Sequence, residues 1–525
     1  MRCCVDRRMD RCIALSSTLA AWLLAASLLG GCAALPPLEG RVASTALADA
    51  AGTRIGKAVA PLAAQHPGLS GVHVLLDGRD AFAARMMMAN TAERSLDVQY
   101  YIWRNDTTGT LLLDALRAAA MRGVRVRLLL DDNNTAGLDG QLALLAAQPN
   151  VQVRLFNPFA ARGARLMGML ADFKRLNRRM HNKSFTVDGH ATIVGGRNVG
   201  DEYFDATGEV LFSDLDIMAI GPVVAAVQQD FDRYWNSRSA YPLQLLVPWP
   251  SAGTAAELRS HAASLSGSAS ALAYMDAMHA SNFVSELMKA SLPLEWAPVT
   301  LVSDDPAKVL GEAREEESVA QRLPALLGAP AAQLDLVSPY FVPGPVWNAR
   351  FGVLAASGVK VRILTNSLEA TDVTAVHAGY AKWRVPLLRA GVRLLELKRS
   401  WTAQNEPKRS RVTGSSASSL HAKTIGVDLK RVFVGSFNVD FRSAELNTEM
   451  GFVIDSPALA QRMATVLDTR VMERAYEVML TPEGQLYWVE RGPGGTVRHD
   501  SEPGAGVLQR GTVEFLSLLP IDWLL

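Results

Sequence analysis

The hydrophobic pattern is built from short, largely apolar runs separated by stretches of helical length. Residues 96–103 and 124–130 form such runs in the first half of the chain, and 334–341 and 359–364 in the second. Runs of this length, bounded by turn residues, predict strands buried on both faces of a sheet. Residues 111–122 and 346–356 lie between them and read as helices. Two more strand pairs are predicted at 184–187 with 191–194 and at 424–427 with 432–434. Gly189 and the Asp428-Leu429-Lys430 segment supply the intervening turns. Alternating strands and helices predict an α/β layer structure.

The pattern occurs twice. Ser95-Leu96-Asp97-Val98 matches Gln333-Leu334-Asp335-Leu336, and Arg122-Gly123-Val124 with the strand after it matches Ser357-Gly358-Val359 and its strand. The offsets are 238 and 235 residues. Two further segments repeat at an offset of 240: His181-Asn182-Lys183 followed by Asp188, and His421-Ala422-Lys423 followed by Asp428. Gly195-Gly196-Arg197-Asn198 and Gly435-Ser436-Phe437-Asn438 come after them. Collinear matches at a near-constant offset indicate a tandem duplication of a whole domain. The expected divisions are an N-terminal segment 1–31, an anchor segment and linker 32–75, a first half 76–240, a connector 241–300, a second half 301–480 and a tail 481–525. Residues 405–419, polar and rich in Ser and Arg, read as a loop over the second His motif. The apolar end of the tail either packs on the body or lies at a membrane surface.

Composition changes this picture mainly at the N-terminus. The chain of 525 residues is 49% hydrophobic, with a net charge of +1 that gives no global bias toward nucleic acid. All four cysteines fall within the first 32 residues, behind Arg2, Arg7, Arg8 and Arg11, and residues 13–29 carry no charge. A basic start, an apolar stretch and small residues before a cut site describe a secretory signal. Leu29-Gly30-Gly31-Cys32 resembles a lipobox, which implies cleavage before Cys32, lipidation of its thiol and anchoring in a bacterial envelope. Ala33 after the cysteine resembles sorting to an outer membrane, facing the periplasm. No later segment reaches the length needed to span a bilayer.

The duplicated motif carries the chemistry. His and Lys two residues apart on a strand point to one face, so one strand presents both to a cleft. A neutral His attacking phosphorus forms a covalent intermediate, and a second, protonated His serves the leaving and incoming alcohols. Lys183, Lys423, Asn198 and Asn438 are suited to hold the nonbridging oxygens. A cation two residues from each His disfavours a metal, so none is expected, nor any other cofactor. Asp214 and Glu449 precede Gly221-Pro222 and Ser456-Pro457 by matching intervals. They are expected to orient the imidazoles, Asp214 with His181 and Glu449 with His421. Asp188 and Asp428 complete the motif, at turns. Asp131 and Asn366 occupy equivalent strand ends and are expected at the cleft mouth. His377 reads as a structural histidine, Lys174, Arg175, Arg178 and Arg179 as a basic face, and residues 166–170 as either core or a lipid-dipping segment.

The pair HNKSFTVD and HAKTIGVD, with GGRN and GSFN, resembles the phospholipase D superfamily. The strings LDVQYYIW, FSDLDIMAIGPVV, SPYFVP and GSFNVDFRS extend the resemblance to the bacterial cardiolipin synthases over nearly all of the chain after residue 72. The resemblance implies two α/β/α halves about a pseudo-two-fold axis with one shared active site. It also implies phosphatidyl transfer through a phosphohistidine, with His181 as nucleophile and His421 as acid and base. Phosphatidylglycerol and a second phospholipid, phosphatidylethanolamine, are the implied substrates, and cardiolipin the product. A hydrolytic phospholipase D and a non-catalytic envelope lipid-binding protein are the alternative readings.

Overall fold

The computed structural model describes residues 34–524 apart from 49, 207–213, 280, 289–290, 400–419, 493 and 521. The segment read as a signal, Cys32 and residues 405–419, expected as a loop, lie outside the described residues.

The first half contains β1 (Ser70–Leu75), β2 (Ser95–Ile102), β3 (Arg125–Asn134), β4 (Val151–Phe156), β5 (Ser184–Val187), β6 (Ala191–Gly195), β7 (Asp216–Ile220), β8 (Ala240–Pro242) and β9 (Glu295–Ala297). They form one sheet in the order β8-β4-β3-β2-β5-β6-β7-β1-β9. The second half contains β10 (Val299–Ser303), β11 (Gln333–Val337), β12 (Lys360–Asn366), β13 (Arg393–Leu397), β14 (Thr424–Val427), β15 (Arg431–Gly435), β16 (Met450–Asp455), β17 (Ala475–Leu480), β18 (Leu486–Gly492) and β19 (Gly495–His499). Their order is β10-β16-β15-β14-β11-β12-β13-β17-β18-β19. The two orders superimpose strand for strand, from β1 on β10 to β8 on β17. The internal repeat therefore extends to strands whose sequences show no similarity.

In each sheet the central strand is antiparallel to its neighbour on one side and starts a three-strand parallel run on the other, which ends on an antiparallel edge, β8 in the first half and β17–β19 in the second. β2 pairs parallel with β3 and antiparallel with β5. β11 pairs parallel with β12 and antiparallel with β14. The parallel strands are buried on both faces, which explains their apolar runs. Their charged members are paired: Arg127 Nε donates to Asp97 Oδ1 at 2.7 Å, and Arg362 Nε to Asp335 Oδ1 at 2.6 Å. The two halves meet through a shared apolar core in which Val72, Val194 and Ile217 pack with Val434, Phe452 and Ile454. The antiparallel parts of the two sheets, and with them the His-motif strands, are thereby held together.

The expected divisions shift in three places. Residues 34–75 are not a free linker, since Arg41 donates to the carbonyls of Asn236 and Ala240 and a helix forms at Arg54–Gln65. The connector belongs to the first half: its helix Ala252–Ser266 packs on helix Thr107–Met121, and β9 closes the first sheet. The tail belongs to the second half. β17 and β18 form one antiparallel pair across the expected 480/481 boundary, and helix Val507–Ser517 packs on helix Thr374–Ala381 through Val513.

Candidate active site

The His-motif strands end at the seam between the halves. His181 and His421 both line one cavity of about 370 Å³, together with Asn198, Asn438, Tyr101, Tyr203, Tyr340 and Arg442. His181 is 8% exposed and His421 7%, whereas Lys183 and Lys423 are 1% exposed. Both lysines reach back to the histidine two residues earlier: Lys183 Nζ donates to the His181 carbonyl at 2.5 Å, and Lys423 does the same to His421.

The orienting carboxylates are the residues expected, but their pairing is crossed. His181 Nδ1 donates to Glu449 Oε2 at 2.8 Å, and His421 Nδ1 donates to Asp214 Oδ2 at 2.5 Å. Each histidine is thus held by a carboxylate from the other half, not by the one that follows it in its own half. The backbone enforces this. Met180 and Thr448 form a bridge between the halves, the His181 amide donates to the Thr448 carbonyl at 2.9 Å, and Glu449 is the next residue. Intervals along one chain reveal that Asp214 and Glu449 are equivalent, but not that the pseudo-two-fold axis exchanges them. Each carboxylate fixes the orientation of its imidazole through Nδ1.

Asp188 and Asp428 do not belong with the reacting groups. They sit at the far ends of β5 and β14, roughly 15 Å along the strand from the lysines, in left-handed turn conformations with φ of 47° and 52°. The Asp188 carboxylate accepts the amides of Glu93, Arg94 and Ser95, and Asp428 those of Ala331, Ala332 and Gln333. Each clips its motif strand to the start of the central strand. Asp188→Ala is expected to cost about 3 kcal/mol in urea unfolding while kcat of the folded enzyme stays within about twofold. Burial would raise the Asp428 pKa, but the three amides hold it below its ordinary 3.8. Its stabilising contribution is therefore complete above 3.8 and lost as pH falls through the lowered value. Asp428→Asn should flatten that acid limb in a stability-versus-pH series.

Asp131 and Asn366 lie behind the histidines instead of at the cleft mouth. Asp131 accepts the Met180 amide at 2.8 Å and pairs with Arg179, and Asn366 bonds both the amide and the carbonyl of Leu420. Each fixes the residue just before a motif His. Arg179 is consequently buried, Arg178 donates to the Lys308 carbonyl at 2.8 Å and Arg175 to Asp172 at 2.6 Å, so Lys174 is the exposed member of that basic run. His377 is structural, bonded to Glu502 and Arg384.

Several contributors were not legible as such. Tyr101 meets the His181 ring edge-on at 5.0 Å and Tyr203 meets His421 at 5.4 Å. Tyr101 lies near the end of β2 and Tyr203 in the short turn after the first motif. The turns after the motifs differ in a way that matters more. Ser436 Oγ donates to Glu449 Oε2 at 2.5 Å. Its counterpart is Gly196, where any side chain would collide with the Asp214 carboxylate. Arg197 bonds the Asp214 carbonyl and Asp216, whereas its counterpart Phe437 packs in the second core.

That difference breaks the electrostatic symmetry. Burial pushes Glu449 up to about 7, only partly opposed by Lys183 and Ser436. Burial acts the same way on Asp214, but His421, Lys423 and Arg197 hold it well below the usual carboxylate range. Burial and the lysines lower both histidines, His181 the further. His421 alone has a firmly ionised carboxylate opposing that drop. Burial also brings Lys183 down to about 7 and Lys423 to about 8, so an anion between them would restore their charge.

Two tandem halves that share one His/Lys/Asn cleft define the class, and the chain belongs to the phospholipase D-like family: the sequence profile described as "Cardiolipin synthase, PLD-like domain" matches residues 86–235 and 324–471. The chain is 50% identical over 472 residues to cardiolipin synthase C of Escherichia coli (strain K12), covering 90% of this chain and 100% of that protein. Cardiolipin synthase A of Pseudomonas syringae pv. syringae is 27% identical over 74% of this chain and 66% of its own length. Among solved structures, phosphatidylserine synthase of Haemophilus influenzae aligns over 89% of this chain and all of its own, with a TM-score of 0.55 at 12% identity, a likeness of fold.

Proposed function

We propose that the protein is a phosphatidyltransferase that makes cardiolipin from phosphatidylglycerol and a second phospholipid, phosphatidylethanolamine, through a phosphohistidine on His181. The observation that carries this reading is the facing His pair with crossed carboxylates, in a chain 50% identical to a cardiolipin synthase over 90% of its own length.

The neutral Nε2 of His181 attacks the donor phosphorus, forming a P–N bond as the P–O bond to the headgroup breaks. His421, its proton stabilised by Asp214, gives that proton to the departing oxygen. His421 Nε2 then takes the proton of a phosphatidylglycerol hydroxyl, whose oxygen attacks phosphorus and releases His181. The carboxylates support this order of roles: Asp214, held ionised, opposes the lowering of the His421 pKa, whereas Glu449, pushed up to about 7 by burial, gives His181 no comparable support. Lys183, Lys423, Asn198 and Asn438 meet the growing charge on the nonbridging oxygens.

Purified protein incubated with labelled phosphatidylglycerol and phosphatidylethanolamine is expected to yield labelled cardiolipin. Phosphatidic acid as the sole product would overturn transfer in favour of hydrolysis, and no turnover would favour simple lipid binding. A lipid anchor on Cys32, as the lipobox-like segment suggests, would hold the site at an envelope membrane; palmitate labelling of the protein should vanish in Cys32→Ser.

A further inference from the structure

Helix Arg165–Ala171 has no buried residue, although Leu166, Met167, Met169 and Leu170 make up most of it. Leu166, Met167 and Leu170 are 75, 65 and 70% exposed. Phe173 continues the apolar face, and its ring meets Trp523 edge-on with centroids 6.4 Å apart. The base of this projection is fixed: Arg162 is ion-paired with Asp132 and Asp139, and Arg165 donates to the Asp132 carbonyl at 2.6 Å. The apolar side chains are therefore held outward and do not fold onto the body.

The cluster stands at the rim of the catalytic cleft. Arg442 lines that cleft, donates to Asn177 just beyond Phe173, and donates to the Leu524 carbonyl at 3.1 Å. Leu524 itself lines the cleft, one residue from Trp523. The segment also presents Lys174, exposed beside Phe173, whereas Arg162, Arg165, Arg175 and Arg179 are ion-paired with Asp132, Asp139, Asp172 and Asp131. Among the described residues no helix is long and apolar enough to cross a membrane, so this projection is the size of a surface contact.

We propose that Leu166, Met167, Leu170, Phe173 and Trp523 form a docking surface for an anionic phospholipid bilayer, seating the cleft mouth on the membrane that supplies its substrate. The proposal rests on the phosphatidyltransferase reading. Apolar side chains beside basic ones, with Trp and Phe at the tip, match the chemistry of the headgroup boundary. A protein partner on the same face would cover the cleft rim and block lipid entry.

The test compares two forms of substrate in the full-length protein. On vesicles of phosphatidylglycerol and phosphatidylethanolamine, the double variant Leu166→Ser/Leu170→Ser should lose at least about tenfold in turnover. On short-chain analogues of the same lipids, dispersed as monomers, its turnover should match the wild type. Unchanged turnover on vesicles overturns the docking role, and an equal loss on both substrates assigns the residues to the cleft or to folding instead. A second readout needs no catalysis. Vesicles with brominated acyl chains should quench a component of the tryptophan fluorescence that disappears in Trp523→Phe, and identical quenching in wild type and variant would refute insertion. Wild-type quenching without cardiolipin synthesis would sink the functional reading while leaving the docking surface in place.

Discussion

Replacing His181 by alanine is expected to lower cardiolipin formation by at least about four orders of magnitude. The loss should fall on kcat and leave lipid binding largely intact, because the lysines, asparagines and cleft walls remain. No phosphatidyl adduct should form with any donor, including one whose leaving group needs no proton. His421→Ala should lose comparable activity on natural donors for a different reason. A p-nitrophenyl donor, whose leaving group departs as a stable anion, should still transfer its phosphatidyl group to His181, forming a P–N bond as the P–O bond breaks, and release about one equivalent of nitrophenolate before turnover stalls. A full burst in His181→Ala would overturn the nucleophile assignment.

The crossed carboxylates yield the second large effect. Asp214→Asn should behave as a His421 variant: turnover on natural donors falls roughly a thousandfold, and the nitrophenol burst survives. Glu449→Gln should behave as a His181 variant, with the burst itself slowed, because the imidazole that attacks loses the group that fixes its tautomer. Pairing within each half predicts the reverse pattern, with Asp214→Asn suppressing the burst. Rapid-mixing measurement of the burst in the two variants decides between them.

Much of this fold is legible in the sequence because burial on both faces of a parallel sheet leaves a strong mark. The runs at 124–130 and 359–364 became β3 and β12, and the His-Lys repeat located the seam between the halves. Asp214 and Glu449 were recognisable as equivalent because each precedes a matching pair, Gly221-Pro222 and Ser456-Pro457, by the same interval. Their partners were not recognisable, since a pseudo-two-fold axis acts in space and leaves no trace in the intervals along one chain. Asp188 and Asp428 were legible as turn residues that complete the motif, but not as clips on the backbone. A carboxylate at a fixed distance from a His looks catalytic, yet here it is spent on three backbone amides. Arg197 against Phe437 was visible in the two turns, but its effect on Asp214 required knowing which carboxylate lay beneath it. Tyr203 contacts His421 from the opposite half and gave no signal at all.

The central claim is a single composite site in which His181 carries the phosphatidyl group and His421 handles protons. It is tested most directly by peptide mass analysis of His421→Ala after brief reaction with the p-nitrophenyl donor, quenched in alkali to preserve a phosphoramidate. The account predicts one phosphatidyl adduct, on the peptide that contains His181. An adduct elsewhere in the chain, or a nitrophenol burst with no adduct on that peptide, would contradict it.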